Sequence, residues 1–181
     1  MDRVEVSTPG KLVLLGEYAV LFGAPAVVAA VDRRAVVTLR RSPGAVWEVS
    51  APGLAPHPEA FEIGPGGGLR WVDERLGPES FGLVRKVMAG LNERGTVDLE
   101  VLPAAAMTLD TGAFFEGGGE GSFKLGLGSS AALTVALAAA LEAWAAGGRP
   151  VRAIESRLQE FVDLHRGVQG GAGSGIDVAA S

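Results

Sequence analysis

Apolar and polar positions alternate in short bursts through the first part of the chain and then give way to helical spacing. Val4 and Val6 stand between charged and polar neighbours, the period-two pattern of a half-buried strand. Residues 11–16 (KLVLLG) and 26–31 (AVVAAV) are apolar runs of strand length. Residues 34–40 (RAVVTLR) and 45–50 (AVWEVS) are rich in β-formers, with a Ser42-Pro43-Gly44 turn between them. Proline and glycine punctuate 51–68, which predicts loop with a short strand near Phe61 and Ile63. Residues 69–72 predict an edge strand.

The period then lengthens. Val84, Val87, Met88 and Leu91 share one face of a helix predicted over 78–94, and Gly95 stops it. Residues 97–102 (VDLEVL) alternate and predict a strand. Residues 104–122 predict irregular chain, mobile around Gly117-Gly118-Gly119. A helix over 129–146 is apolar almost all round and therefore buried. A second, over 151–166, places Ile154, Leu158, Phe161, Val162 and His165 on much of one face. Strands first and helices later is the order of an α+β fold, not of repeated βαβ units. No internal repeat is visible.

Composition narrows the picture. A length of 181 residues suits a single domain, 1–181. With 7 Phe, 3 Trp and 1 Tyr, the core must rest on Val, Leu and Ala. Net charge is -5 with both signs dispersed, which argues against a nucleic-acid partner. No cysteine is present, so disulfides, thiolate zinc sites and cysteine nucleophiles are excluded. The N-terminus, MDRVEVSTPGK, has no basic-then-apolar leader pattern. The longest largely apolar run, 131–141, is too short to span a bilayer. A cytoplasmic protein without membrane attachment is expected. The final GSGIDVAAS reads as the opening of an element, so a truncated chain is expected too.

Three glycine-rich stretches carry candidate chemistry. In FKLGLGSSAALTVALAAAL (123–141), Gly126 and Gly128 feed a helix start through Leu127. A helix N-terminus has unpaired N–H groups and partial positive charge, and glycine lets a phosphate come close. Ser129 and Ser130 are able to cap the helix, bind phosphate oxygen or ligate magnesium, and Lys124 adds a nearby charge. The Walker-type G-x-x-x-x-G-K-[ST] spacing is absent, and the dinucleotide fingerprint fails because position 131 is Ala. An ordinary glycine turn with a serine N-cap explains the same residues equally well.

In the stretch 8–27, Lys11 follows a Pro-Gly turn, and Glu17 and Tyr18 follow Gly16. Taken alone, Lys11 and Glu17 read as surface charges. In HRGVQGGAGSGIDVAAS (165–181), Asp177 is either a helix N-cap or a carboxylate beside a substrate. Gln169 and Ser174 are able to hydrogen-bond a polar ligand. His165, on an apolar helix face, reads first as a packed histidine.

Taken together and in this order, the three stretches resemble the GHMP kinase family of galactokinase, homoserine, mevalonate and phosphomevalonate kinases. PGKLVLLGEYAVLFGAPAV is similar to its first motif, GLGSSAALTVALAAAL to its ATP-binding motif, and GSGIDVAAS to the segment with its acidic residue. Within the family, Lys124 before GLGSS, the His165 to Val178 pattern and DTGAFF at 110–115 resemble the phosphomevalonate kinase form.

The resemblance implies an N-terminal α+β ATP-binding domain, with a mixed sheet and packed helices. It also implies a C-terminal domain, absent from this chain, that would complete the pocket. The implied reaction is transfer from magnesium-ATP to 5-phosphomevalonate, in the mevalonate route to isoprenoids. Mevalonate or another small-molecule acceptor is the alternative within the family, and a non-catalytic nucleotide-binding or interaction module is the alternative outside it. Catalytic roles fall by resemblance to Lys11 and Asp177, the latter as base or as orienter of Lys11. ATP binding falls to Lys124, Gly126, Leu127, Gly128, Ser129, Ser130 and Ala131, with Ser130 meeting Mg2+. Glu17, Tyr18, His165, Gln169 and Ser174 are the candidates for substrate contact.

Overall fold

The computed structural model describes residues 1–73, 81–117, 122–149, 157–171 and 175–181. The valine-rich runs at the start form two long antiparallel strands, β1 (Arg3–Leu15) and β2 (Val27–Arg41). The sequence pattern predicts four separate pieces here, and the chain joins them in pairs. The break expected at Pro9-Gly10 is absorbed by a register shift between those two residues. β1 lies at the sheet edge, where proline has no outward ladder bond to lose. β3 (Trp47–Ser50), β4 (Glu59–Ile63) and β5 (Leu69–Trp71) follow, the last at the opposite edge as predicted. Helix α1 (Gly82–Glu93) buries Val84, Val87, Met88 and Leu91, as its spacing requires. Residues 78–80 of the predicted helix lie outside the described residues.

The alternation at 97–102 does not make a strand. Val97 and Leu99 are buried and Val101 is exposed, but the segment turns. Asn92 Oδ1 accepts the Leu99 N–H at 3.1 Å, and Asp98 Oδ1 accepts the Glu100 N–H at 3.1 Å. Such side-chain acceptors compete locally with a sheet ladder. The strand comes later, as β6 (Ala105–Asp110), inside the segment predicted irregular. Ala105, Met107 and Leu109 are its buried residues, so the period of two was present there as well.

The sheet order is β1-β2-β6-β3-β4-β5. Only β3 and β6 pair in parallel; the other neighbours are antiparallel. Two short strands, β7 (Phe115–Glu116) and β8 (Phe123–Lys124), form a ribbon that leads into α2 (Ser129–Ala145). α2 lies against β1 and β2 and is buried on nearly every side, which its apolar composition predicts. α3 (Leu158–Val168) packs on α1 and α2. Ile154 and the expected start of that helix lie outside the described residues, as do Gly118 and Gly119. Leu158, predicted for the buried face, is exposed, and Leu164 is buried instead. A short helix, α4 (Ile176–Ala179), follows. The architecture is α+β, a mixed sheet with helices packed against it.

A buried ion pair sets the seat of α3. The Arg157 guanidinium donates to both carboxylate oxygens of Glu142 on α2 and also to Glu160. It lies 4.7 Å from the centre of the Phe161 ring. This matters for the site, because α3 and its C-terminal end carry His165 and Gln169. Among the described residues, no helix is long and apolar enough to cross a membrane.

Candidate active site

Lys11 is held at both ends. Its backbone N–H donates to the Leu127 carbonyl at 2.8 Å, which ties the loop before α2 to β1. Its aliphatic stem lies against Gly128. A Cβ at Gly128 would stand 2.7 Å from Lys11 Cγ, and the backbone there is left-handed at φ 75. Both facts require glycine. At its far end, Lys11 Nζ lies 2.9 Å from Asp177 Oδ1. The Lys11 side chain is only 11% exposed, so it is not an idle surface charge.

Asp177 stands in the first turn of α4, whose N-cap is Gly175. The capping role open to Asp177 is therefore taken by a glycine, and the carboxylate is directed to Lys11. Gly175 is left-handed at φ 83, and a Cβ there would lie 2.8 Å from Val162 on α3. The turn that presents Asp177 thus rests directly on α3.

The serine cap that the sequence equally allows for α2 is not made. Gly128 is the N-cap, with no side chain bonded to the helix end. The first intrahelical bond runs from the Ala132 N–H to the Gly128 carbonyl at 3.1 Å. The N–H groups of Ser129, Ser130 and Ala131 precede it, so they have no intrahelical partner. The Ser129 and Ala131 side chains are buried, whereas Ser130 is half-buried. The first turn carries no acidic residue to repel an anion. The Thr8 hydroxyl donates to the Ala132 carbonyl at 2.6 Å and anchors this turn to β1.

Candidate residues line two cavities, whereas Gly126, Leu127, Gly128 and Ala131 line neither of them. One, of about 190 Å³, has Lys124, Ser129 and Ser130 in its wall beside apolar side chains of Leu54, Phe81 and Leu83. The sequence assigned no role to 51–68; the apolar Ala51 and Leu54 within that loop were the available signal. Thr111 and Phe115, from the DTGAFF segment, also line it. The other cavity, of about 210 Å³, opens on Lys11 and Asp177. Glu17, Tyr18, His165 and Gln169 line it, joined by Leu21 and Ile176, which sequence reasoning did not single out. Ser174 lies outside the described residues.

His165 is buried as its helical position predicts, yet it also borders this second cavity. Its Nε2 is buried without a hydrogen-bond partner. Burial lowers the imidazole pKa below its ordinary value, more than the nearby Asp177 charge raises it. Among the described residues, no three His, Cys, Asp or Glu side chains gather as metal ligands.

Known proteins resemble this chain in sequence and in fold. Residues 104–181 match the family model described as GHMP kinases N terminal domain. A mevalonate kinase of Methanothermobacter thermautotrophicus is 31% identical over 140 residues, covering 77% of this chain and 36% of that protein. A phosphomevalonate kinase of Streptomyces sp. (strain CL190) is 34% identical over 152 residues, covering 75% of this chain and 37% of its own length. The chain thus spans little more than a third of these curated relatives. The structure of Streptococcus pneumoniae phosphomevalonate kinase, in complex with phosphomevalonate and AMPPNP, superposes with a TM-score of 0.66 at 22% identity. That match covers 97% of this chain and 46% of the other.

Proposed function

Residues 104–181 match the GHMP kinase N-terminal domain and the whole chain shares its fold, and from that premise we propose that the chain is the nucleotide-binding part of a kinase acting on 5-phosphomevalonate. The γ-phosphoryl group of ATP passes to the acceptor phosphate. The bond from Pγ to the bridging oxygen breaks, ADP leaves, and a new P–O bond gives the diphosphate. The observation that carries this reading is the contact of Lys11 with both glycine-rich motifs, through Gly128 and Asp177.

Phosphoryl transfer asks mainly for positioning and charge stabilisation. The free N–H groups of Ser129, Ser130 and Ala131 receive phosphate oxygens, and Lys124 adds a cation at the wall. The apolar cavity at Leu54 and Phe81 takes the base. Lys11 neutralises charge on the group in transfer. For an acceptor already anionic near neutral pH no base is needed, and Asp177 orients Lys11. Magnesium, if it arrives with the nucleotide, would offset phosphate charge. The half-buried Ser130 hydroxyl fits a hard cation that arrives with the triphosphate, and Ser130 would hold it there. Such an enzyme would work in the cytoplasm.

One observation favours a second reading, mevalonate as acceptor. Among the described residues lining the Lys11 cavity, Lys11 is the single cation and faces two carboxylates, Glu17 and Asp177. That balance suits an acceptor with little charge, and Asp177 is then placed to take the hydroxyl proton. ADP release with magnesium-ATP separates the readings. Mevalonate, phosphomevalonate, galactose and homoserine are offered in parallel to the full-length protein, be it this chain or a longer one. Stimulation by phosphomevalonate alone, lost in Lys11→Ala, supports the first reading. Stimulation by mevalonate alone replaces the acceptor. No turnover with any acceptor leaves a nucleotide-binding or interaction module.

A further inference from the structure

We infer that His165 is a positioning residue: only while its ring is neutral does Asp177 stay with Lys11, and protonation of the ring draws the carboxylate away and shuts down transfer. The inference rests on the reading of Lys11 as the group that meets the transferring phosphoryl.

The geometry comes from one face of α3. Val162 and His165 are three residues apart, and Gln169 follows four later, so they stack on a single side. Val162 supports Gly175 directly, while His165 and Gln169 border the cavity of Lys11 and Asp177. His165 is 5% exposed, and its Nε2 has no partner. A neutral imidazole carries a single N–H, whereas an imidazolium carries two and needs two acceptors. A charged ring held in its present place would leave an N–H buried and unpaired, which is costly.

The charged groups on the surrounding elements leave two carboxylates on this cavity, Glu17 and Asp177, and of these Asp177 is the one whose charge acts on the ring. From α4 comes Asp177. From β1 comes Lys11, already on Asp177. After β1 come Glu17 and Tyr18. From α1, the Lys86 ammonium donates to the Val168 carbonyl at 2.7 Å, and Glu93 and Arg94 stand beyond it. From α2, Glu142 is held by Arg157. On α3 itself, Glu160 binds Arg157 and Thr96, and Asp163 is engaged by Gln159 and Arg166. Asp177 is the carboxylate whose charge acts on the ring. A protonated ring therefore gains its acceptor by meeting Asp177, and the fixed orientation of Lys11 is lost.

The chain has two histidines, His57 and His165, so ring nitrogen NMR of labelled protein resolves both. His165→Gln assigns the signals, with His165→Asn as the substitute should glutamine not be accommodated. The His165 midpoint is expected below the ordinary value of about 6.5. In Asp177→Asn it is expected to fall further, because the charge that favours the imidazolium is gone. A midpoint that does not move in Asp177→Asn overturns the inference.

The pH profile of kcat supplies the functional arm, measured on the full-length protein. Activity is expected to drop about tenfold per pH unit below the His165 midpoint, as for one essential deprotonated group. The loss falls on kcat and not on KM for ATP, and the limb disappears in His165→Gln. A limb that persists in His165→Gln overturns the inference and leaves the kinase reading standing. Failure of every acceptor overturns both.

Discussion

Lys11 Nζ lies 2.9 Å from Asp177 Oδ1, although the two residues stand near opposite ends of the chain. The pair is short, largely shielded and mechanically braced. β1 and the Gly128 turn hold the lysine, and the Gly175 turn on α3 holds the carboxylate. A phosphate entering beside it meets a cation whose position is already set. Preorganised charge of this kind is usually the largest single contribution to catalysis.

Lys11→Met is expected to lower kcat by about 100- to 1000-fold, the range for removing one preorganised charge donor. The folded state should survive, because methionine retains much of the stem that covers Gly128. Steady-state kinetics with the responding acceptor, beside a circular-dichroism melt, check both halves. A variant with near-normal kcat would falsify the assignment of Lys11.

Gly128→Ala is expected to impair nucleotide binding and stability together. The new methyl meets the Lys11 stem at 2.7 Å and occupies a left-handed backbone, at a strain of about 1–2 kcal/mol. In a Lys11→Ala background the steric part is relieved and the strain remains. Urea unfolding of the two single variants and the double variant measures this coupling. Strict additivity would show that the stem and the glycine do not touch.

Leu54→Ser is expected to weaken ATP about tenfold while leaving inorganic tripolyphosphate nearly unaffected. Leu54 lines the apolar cavity beside Ser129 and Ser130, and losing apolar contact to a base amounts to about 1.5–3 kcal/mol. Calorimetric titration with the two ligands reads the difference. Equal weakening of both ligands would remove the base from this cavity.

Glu142→Ala leaves the buried Arg157 guanidinium between α2 and α3 with Glu160 as its remaining carboxylate partner among the described residues. Breaking such a pair from one side typically costs about 3–5 kcal/mol. Chemical denaturation should show that loss, and a Glu142→Ala, Arg157→Met double variant should regain much of it. A loss within about 0.5 kcal/mol, the range of surface substitutions, would mean that the pair is dispensable.

His165 also makes stability depend on pH. Its folded-state pKa lies below the unfolded value of about 6.5. Its contribution is therefore fully present above that value and is lost as pH falls through the folded-state pKa. The melting temperature of the wild type should decline below about pH 6.5 more steeply than that of His165→Gln. Parallel curves would exclude the histidine as the source.

What the sequence determined by itself is local. The spacing of Val84, Val87, Met88 and Leu91 is enough to bury one side of α1, because a helix is held by bonds within its own segment. Gly126, Gly128 and Gly175 mark turns for the same reason, since left-handed backbone is a property of single residues. The chemical candidates Lys11, Ser130 and Asp177 were legible as residue types in or beside glycine-marked stretches. Their roles were not, because a solvent-facing lysine, a serine cap and an aspartate cap fit the same letters. Tertiary structure decided between these by occupying both caps with Gly128 and Gly175 and placing Lys11 against Asp177. It also decided which alternation became a strand. Residues 97–102 and 105–110 carry the same period of two, but only the second finds ladder partners, in β2 and β3. A strand's hydrogen bonds lie on other strands, and a cavity's walls come from segments far apart in sequence. Both exist only once the chain has closed on itself.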